Sequence, residues 1–115
     1  MKIDKGLVSG STTLLILELL KNEDMYGYQM IEYLERRSNN VFTLKAGTLY
    51  PLLHTLEQQG AVRSYDIDEN NRTRKYYTLT QSGRKLLRDK KEEWNTFFNA
   101  VNQVLYGGGE LSAEA

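Results

Sequence analysis

The stretch AGTLYPLLHTLEQQG, residues 46–60, carries several hydrogen-bonding side chains within a short distance of one another. Tyr50 and His54 are four residues apart, which would place them on one face of a helix, and Thr48 lies close by. Hydroxyl and imidazole groups can form hydrogen bonds with base edges or with phosphates. The alternative is that Tyr50 packs on its neighbours and His54 is merely solvated. This face is therefore a candidate recognition surface.

The leucines of the same stretch predict the helix that positions these side chains. Their spacing of i, i+3, i+4 and i+7 aligns them in one stripe that would face a core. Pro51 is tolerated only in the first turn of a helix, so the helix should begin near Gly47, and Gly60 should end it. The stripe consists of Leu49, Leu52, Leu53 and Leu56.

The chain offers no recognisable set of residues for catalysis or metal binding. It has no cysteine and a single histidine, so His54 has neither a thiol to activate nor a second imidazole with which to hold a metal ion. The glycines at positions 107–109 follow a predicted helix instead of opening one, which does not fit a phosphate-binding loop. We therefore predict that the protein is not an enzyme and has no metal or cofactor.

The composition is that of one globular domain: 115 residues, of which 40% are hydrophobic and 26% charged. The first ten residues, MKIDKGLVSG, lack the apolar segment of a signal peptide, and the run LLILELL is too short to cross a bilayer. We expect a cytoplasmic protein that does not associate with membranes.

Charge is balanced over the whole chain but uneven along it. Fifteen basic and fifteen acidic residues cancel. Residues 72–91, however, contain eight lysines and arginines and only one acidic residue, Asp89. Such an excess is expected on a surface that contacts a polyanion, although the solvated face of a long helix would explain its second half equally well.

Apolar periodicity predicts two helices before residue 46. The first runs from about Ser11 to Lys21, with Ser9 or Ser11 as its cap. The second ends near RRSNN, and its apolar positions repeat the i, i+3, i+4, i+7 pattern. They are Gly27, Met30, Ile31 and Leu34.

Beyond residue 60, β-branched and aromatic residues in AVRSYDI and TRKYYTL predict two strands joined by the turn residues DENN. Thr80 then caps a long helix that extends to about Tyr106. Three helices followed by a hairpin form the winged helix-turn-helix plan, in which the third helix enters the major groove of DNA and the hairpin lies against phosphates.

Large apolar residues recur every seven positions along the last helix, the period of a helix that packs against another helix. The predicted dimer interface consists of Leu87, Trp94, Phe97, Phe98, Val101 and Leu105. We therefore predict a mainly α (α+β) fold with a winged helix-turn-helix DNA-binding domain (residues 1–79), a C-terminal dimerisation helix (80–106) and a disordered tail (107–115).

Three segments of the chain resemble the PadR family of transcriptional regulators. They are MYGYQMIEYL, KAGTLYPLLHTLEQQGAV and RKYYTLTQSGRKLL, and together the resemblance covers nearly the whole chain. The single last helix is similar to the short form of that family. The resemblance implies a homodimer that binds an inverted-repeat DNA operator, usually as a repressor.

The resemblance also assigns roles to individual residues. Thr48, Tyr50 and His54 would meet base edges or phosphates, and Lys45 would meet a phosphate at the helix start. On the second strand, Arg72 and Arg74 alternate with Lys75, which shares its side with the core residues Tyr77 and Leu79. The acidic wing tip, Asp68 and Glu69, departs from what phosphate contact requires. The predicted DNA-binding residues are Lys45, Thr48, Tyr50, His54, Arg72, Arg74 and Lys75.

Two alternatives remain open at this level. Some short-form relatives admit planar hydrophobic compounds between the subunits beside a tryptophan, so Trp94, Phe97 and Phe98 could form an effector site or simply pack at the interface. A winged helix can also act as a protein-interaction module without specific DNA binding, because a fold alone does not fix function.

Overall fold

The computed structural model describes residues 3–107, which form four helices and a three-stranded antiparallel sheet with strand order β1-β3-β2. This arrangement confirms the predicted mainly α (α+β) winged helix-turn-helix fold with a long last helix. Residues 108–115 of the predicted tail lie outside the described residues. The elements are α1 (Lys5–Asn22), β1 (Met25–Tyr26), α2 (Gly27–Arg37), α3 (Ala46–Gln58), β2 (Val62–Glu69), β3 (Arg72–Leu79) and α4 (Gln81–Tyr106).

Helix α1 begins well before the predicted start at Ser11. Asp4 caps it, because its Oδ1 accepts a hydrogen bond from the Gly6 amide at 2.7 Å. The Ser11 hydroxyl instead donates to the Leu7 carbonyl at 3.1 Å, inside the helix. The predicted boundary is wrong because a serine inside a helix can satisfy its hydroxyl on the preceding turn as well as cap a helix.

Strand β1 is not among the predicted elements, because two residues carry no periodic signal. Met25 pairs with Tyr77 and Tyr26 pairs with Tyr76 on β3. The Tyr26 amide also donates to Oε1 of Gln29 at 3.3 Å, which closes the first turn of α2. β1 thus fixes the start of α2 against the hairpin.

The hydrophobic core lies between the first three helices and the inner face of the sheet. The predicted leucine stripe of α3 is confirmed: three of its members are buried and Leu52 is half-buried. Tyr77 and Leu79 are buried as well, which confirms the predicted inner face of β3. The largest fully buried side chains are Ile16, Leu17, Leu20, Met25, Met30, Leu49, Leu53, Leu56 and Val62.

The hairpin turn forms at the predicted DENN segment. Asn70 and Asn71 have φ angles of 48° and 62°. Positive φ at both central residues is the geometry that matches the twist of a two-residue hairpin, and asparagine tolerates it better than most residues. The turn therefore confirms the sequence prediction and sets the register that pairs Glu69 with Arg72.

The first turn of helix α4 contacts Gly60, which lies just after the end of α3. The Thr80 hydroxyl accepts a hydrogen bond from the Gly83 amide at 3.0 Å and donates to the Gly60 carbonyl at 2.6 Å. Ser82 donates to the same carbonyl at 2.8 Å. From Glu92 to Gly107 every residue except Asn102 is exposed, so this part of α4 leaves the body of the protomer. Within residues 3–107, no helix is both long and apolar enough to cross a membrane.

Candidate nucleic-acid interface

The outer face of α3 is open to solvent. Tyr50 is 41% exposed, and Thr48 and His54 are exposed as well. Lys45 immediately precedes the helix, and no side chain caps it there. The amides of a first helical turn lack intrahelical acceptors and carry partial positive charge. The start of α3 and the Lys45 ammonium together have the chemistry to hold a phosphate.

Six of the seven predicted DNA-binding residues line one of two clefts to which α3 contributes. Lys45 and Thr48 lie in a cleft of about 630 Å³ against α1 and the loop before α3. His54 lines neither cleft. The second cleft, of about 410 Å³, is called the wing cleft below, and it is lined by Tyr26, Gly27, Tyr28, Tyr50, Arg72, Thr73, Arg74 and Lys75.

Tyr50 crosses the wing cleft toward α2. Its ring lies so close to Gly27 that a Cβ atom added to this glycine would stand 2.6 Å from the tyrosine Cζ. Burial, and to a smaller extent the neighbouring Tyr28, raise the pKa of the Tyr50 hydroxyl. At neutral pH the group is therefore uncharged and able to donate a hydrogen bond to an anion.

The three basic residues of β3 have different surroundings. Arg72 and Lys75 are exposed, whereas the Arg74 side chain retains 32% of its accessible surface. The Arg74 guanidinium lies 4.6 Å from the centre of the Tyr26 ring and 3.8 Å from Glu69. Arg74 thus already has an aromatic and an acidic partner within the protomer, while Arg72 and Lys75 present their charge to solvent.

Three tyrosines lie side by side on the outer face of the sheet. Tyr76 stacks on Tyr65 at a centroid distance of 5.9 Å and meets Tyr26 edge to face at 5.4 Å. Tyr65 donates a hydrogen bond to Asp24 at 2.6 Å, which raises the pKa of Tyr65 to about 12. Tyr26 contacts the Arg74 guanidinium, and the row as a whole connects β1 to the hairpin.

Four residues that line the wing cleft are absent from the predicted site: Tyr26, Gly27, Tyr28 and Thr73. Tyr28 is 66% exposed at the start of α2, and Gly27 is buried beneath Tyr50. The available signal was the segment MYGYQM, in which two tyrosines flank a glycine at a helix start. Tyr26, Gly27 and Tyr28 belong neither to α3 nor to the hairpin, so the winged helix-turn-helix plan alone does not indicate them.

The predicted dimer seam of α4 is exposed in the single protomer, with one exception. Leu87 is 3% exposed and belongs to the core of its own protomer, because α4 is still packed against the body at this point. The seam residues beyond it protrude from the body on the free half of α4. They are Trp94 (41% exposed), Phe97 (58%), Phe98 (49%), Val101 (38%) and Leu105 (62%).

A cleft of about 450 Å³ separates the free half of α4 from the beginning of α1. Trp94 and Phe97 line it from α4, and Leu7 faces them from α1. Phe98 is not part of the lining, but it stacks on Trp94 with ring centroids 6.0 Å apart. Of the three residues predicted for an effector, Trp94 and Phe97 therefore line this cleft, and Phe98 is connected to it only through its stacking on Trp94.

Comparison with known proteins agrees with the fold. The model of the transcriptional regulator PadR-like family matches residues 16–89, from α1 into α4. A transcriptional regulator from Clostridium thermocellum has a similar structure, with a TM-score of 0.82 and 31% identity over 88% of this chain and 96% of that one. A PadR family transcriptional regulator from Eggerthella lenta also has a similar structure, with a TM-score of 0.80 and 32% identity over 88% of this chain and 87% of that one.

A curated relative extends the similarity to a longer protein. The transcriptional regulator YqjI of Escherichia coli is 30% identical over 84 residues, which are 73% of this chain but only 39% of YqjI. Regulators of the matched family bind DNA, typically act as dimers and are not enzymes, which agrees with the prediction that this chain is not one. From the matched residues and the shared fold, the chain belongs to the PadR-like family of DNA-binding transcriptional regulators.

Proposed function

We propose that the protein is a repressor that binds an inverted-repeat operator as a homodimer and is released from it by a planar hydrophobic compound. The observation that carries the DNA-binding part is the convergence of the polar face of α3 with the exposed cations of β3. Tyr50, Arg72 and Lys75 line one cleft, although they come from two separate elements. Hydroxyl and cationic groups of this kind contact the DNA backbone, while base edges are contacted from the helix in the major groove.

The free half of α4 supports the homodimer. Large aromatic and aliphatic side chains protrude there and remain exposed in the single protomer. A contiguous apolar surface of this kind is costly to leave in water and marks an interaction site. A second copy of the same helix presents the same side chains, so a two-fold axis at Trp94 and Val101 would cover both surfaces at once.

Two-fold symmetry has a consequence for the DNA. A dimer of this kind presents two α3 helices to successive major grooves, about 34 Å apart or a multiple of that distance. In this proposal His54, exposed on α3 outside both clefts, contacts a base edge, while Lys45 contacts a phosphate. A protein seated on both half-sites excludes other proteins from the operator, which favours repression.

Fluorescence anisotropy with a labelled operator duplex tests this proposal. The affinity of the full-length protein should fall steeply with salt, because several phosphate contacts release counterions. His54→Ala should reduce the difference in binding free energy between operator and unrelated DNA by roughly 1 to 3 kcal/mol, the discrimination that a good base contact provides. Asn99→Ala on α4 is the control and should leave both quantities unchanged. A protein that acts only as an interaction module would show no preference among DNA sequences.

The cleft beside Trp94 favours the effector part of the proposal. It has room for a small molecule, and its aromatic lining offers a stacking surface for a planar one. Trp94 is the only tryptophan in the chain, so its fluorescence reports directly on this site. A planar aromatic dye should quench that fluorescence saturably and lower the affinity for operator DNA. If a varied panel of dyes changes neither signal, Trp94 serves the dimer interface alone.

A further inference from the structure

Gly27 occupies an unusual position for the first residue of a helix. It is buried, although the residue that follows it is 66% exposed. An added Cβ atom would stand 2.6 Å from Cζ and 3.0 Å from Cε1 of Tyr50, and it would overlap the hydroxyl oxygen. The Tyr50 ring therefore fills the space that any side chain at position 27 would need.

Gly10 and Gly47, two other helical glycines, do not share this feature. A Cβ atom added to Gly10 or to Gly47 would meet no atom within 4 Å. Glycine in a helix is generally less favourable than alanine, because it loses more backbone entropy on folding. Gly47 and Gly10 leave room for that substitution, but Gly27 does not. The packing of Tyr50 thus accounts for the glycine at this position.

The contact determines where the Tyr50 hydroxyl lies. Tyr50 belongs to α3, but its ring extends across the wing cleft to the first residue of α2. There the hydroxyl shares the cleft with the exposed cations Arg72 and Lys75. Cationic side chains on a winged hairpin contact phosphates. Tyr50 therefore lies beside residues suited to contact the DNA backbone, whereas His54 lies outside this cleft.

We infer that Gly27 is a positioning residue for DNA binding: it leaves the space in which Tyr50 lies across the start of α2, so that the Tyr50 hydroxyl contacts the DNA backbone from the wing cleft. This inference rests on the proposed function and adds a residue that touches no DNA itself. It also assigns Tyr50 a contact with the DNA backbone, so that discrimination among base sequences depends on other residues of α3.

Substitution of Gly27 by alanine tests the positioning role. The new methyl group would displace the Tyr50 ring, so Gly27→Ala should weaken binding to a labelled duplex of about 30 base pairs, or three helical turns. It should also lower the Tm by about 5 °C, the shift expected for a strained contact of this kind. Gly47→Ala, at a helix start with open space, is the control for stability and should leave the Tm unchanged or raise it.

A double substitution separates displacement of Tyr50 from general damage to α2. In a Tyr50→Ala protein the space beside position 27 is empty, so adding Gly27→Ala should cause no further loss of DNA affinity. If Gly27→Ala lowers the DNA affinity equally in the presence and in the absence of the Tyr50 ring, the inference is overturned. Circular dichroism and sedimentation of each variant establish that the fold and the assembly are intact.

Tyr50→Phe tests the hydroxyl itself and does not depend on the folding of Gly27→Ala. The phenyl ring keeps the packing on Gly27, so the Tm should not change. Affinity should fall roughly ten- to hundredfold, the range for one hydrogen bond to a charged group, and by the same factor on every sequence. Wild-type affinity in Tyr50→Phe would contradict the contact. If the wild-type protein binds no DNA at all, the proposed function fails instead, and this is measured first.

Discussion

Nη1 of Arg74 lies 3.8 Å from Oε2 of Glu69 at the tip of the hairpin. The same carboxylate accepts a hydrogen bond from the Tyr76 hydroxyl at 3.4 Å, and the Arg74 guanidinium lies 4.6 Å from the centre of the Tyr26 ring. An acidic group that holds the arginine competes with a DNA phosphate for it. An acidic residue at the wing tip is unfavourable for contact with phosphate, and in this protomer one such residue, Glu69, pairs with Arg74.

Glu69→Gln should increase affinity for DNA. A partly exposed ion pair is worth at most about 1 kcal/mol, so the gain should not exceed roughly fivefold. Anisotropy titrations at several salt concentrations would measure it. Asp68→Asn is the matched control: it removes the same charge, but Asp68 accepts a hydrogen bond from the Thr73 hydroxyl at 2.6 Å instead of pairing with Arg74. An equal gain in both variants would show that net charge, and not release of Arg74, is responsible.

Arg74→Ala should weaken binding to all DNA sequences. It should also reduce the slope of log affinity against log salt concentration by about 1, the amount expected for the loss of one phosphate contact. Its effect should not depend on sequence, because phosphates carry no sequence information. In the Arg74→Ala background, Glu69→Gln should lose its effect on affinity. If Arg74→Ala leaves both the affinity and the salt dependence unchanged, the arginine remains paired within the protomer and the wing does not use it.

Val101→Glu should convert the dimer into monomers, because a carboxylate in an apolar helix seam is desolvated without a partner. Sedimentation at micromolar concentration would show the loss of the dimer. Asn99→Glu is the control, since Asn99 lies about 200° around the helix axis from Val101 and should tolerate the charge. A Val101→Glu protein that remains dimeric would show that the subunits associate through another surface.

Gly83→Ala should destabilise the start of α4. The added methyl group would overlap the Ala61 carbonyl oxygen and stand 2.7 Å from Cδ1 of Leu79. Overpacking of this kind lowers the free energy of unfolding by about 1 to 3 kcal/mol, which urea denaturation measures. Gly47→Ala provides the control with open space. Unchanged stability in Gly83→Ala would mean that α4 does not pack so closely on the residues after α3.

Features that depend on neighbours in sequence were the predictable part of this fold. The leucine spacing of α3, the Asn70–Asn71 turn and the Thr80 cap each follow from local chemistry, and each is confirmed. The start of α1 was not predictable in this way, because Ser9, Ser11 and Asp4 can all cap a helix and only one of them does.

Features that depend on contacts between distant segments escaped prediction. β1 exists only because Met25 and Tyr26 pair with β3, about fifty residues later. Leu87 has the heptad spacing of the seam, but only the packed structure shows that the core of its own protomer covers it. The same holds for the wing cleft, where Gly27 and Tyr50 meet across two helices.

Sequencing of the genomic fragments that the purified full-length protein retains at physiological salt tests the proposed function most directly. A two-fold dimer that uses α3 in the major groove should enrich fragments sharing an inverted repeat, with half-site centres about 34 Å apart or a multiple of that distance. Fragments without a shared sequence, or no retained DNA, would contradict the account.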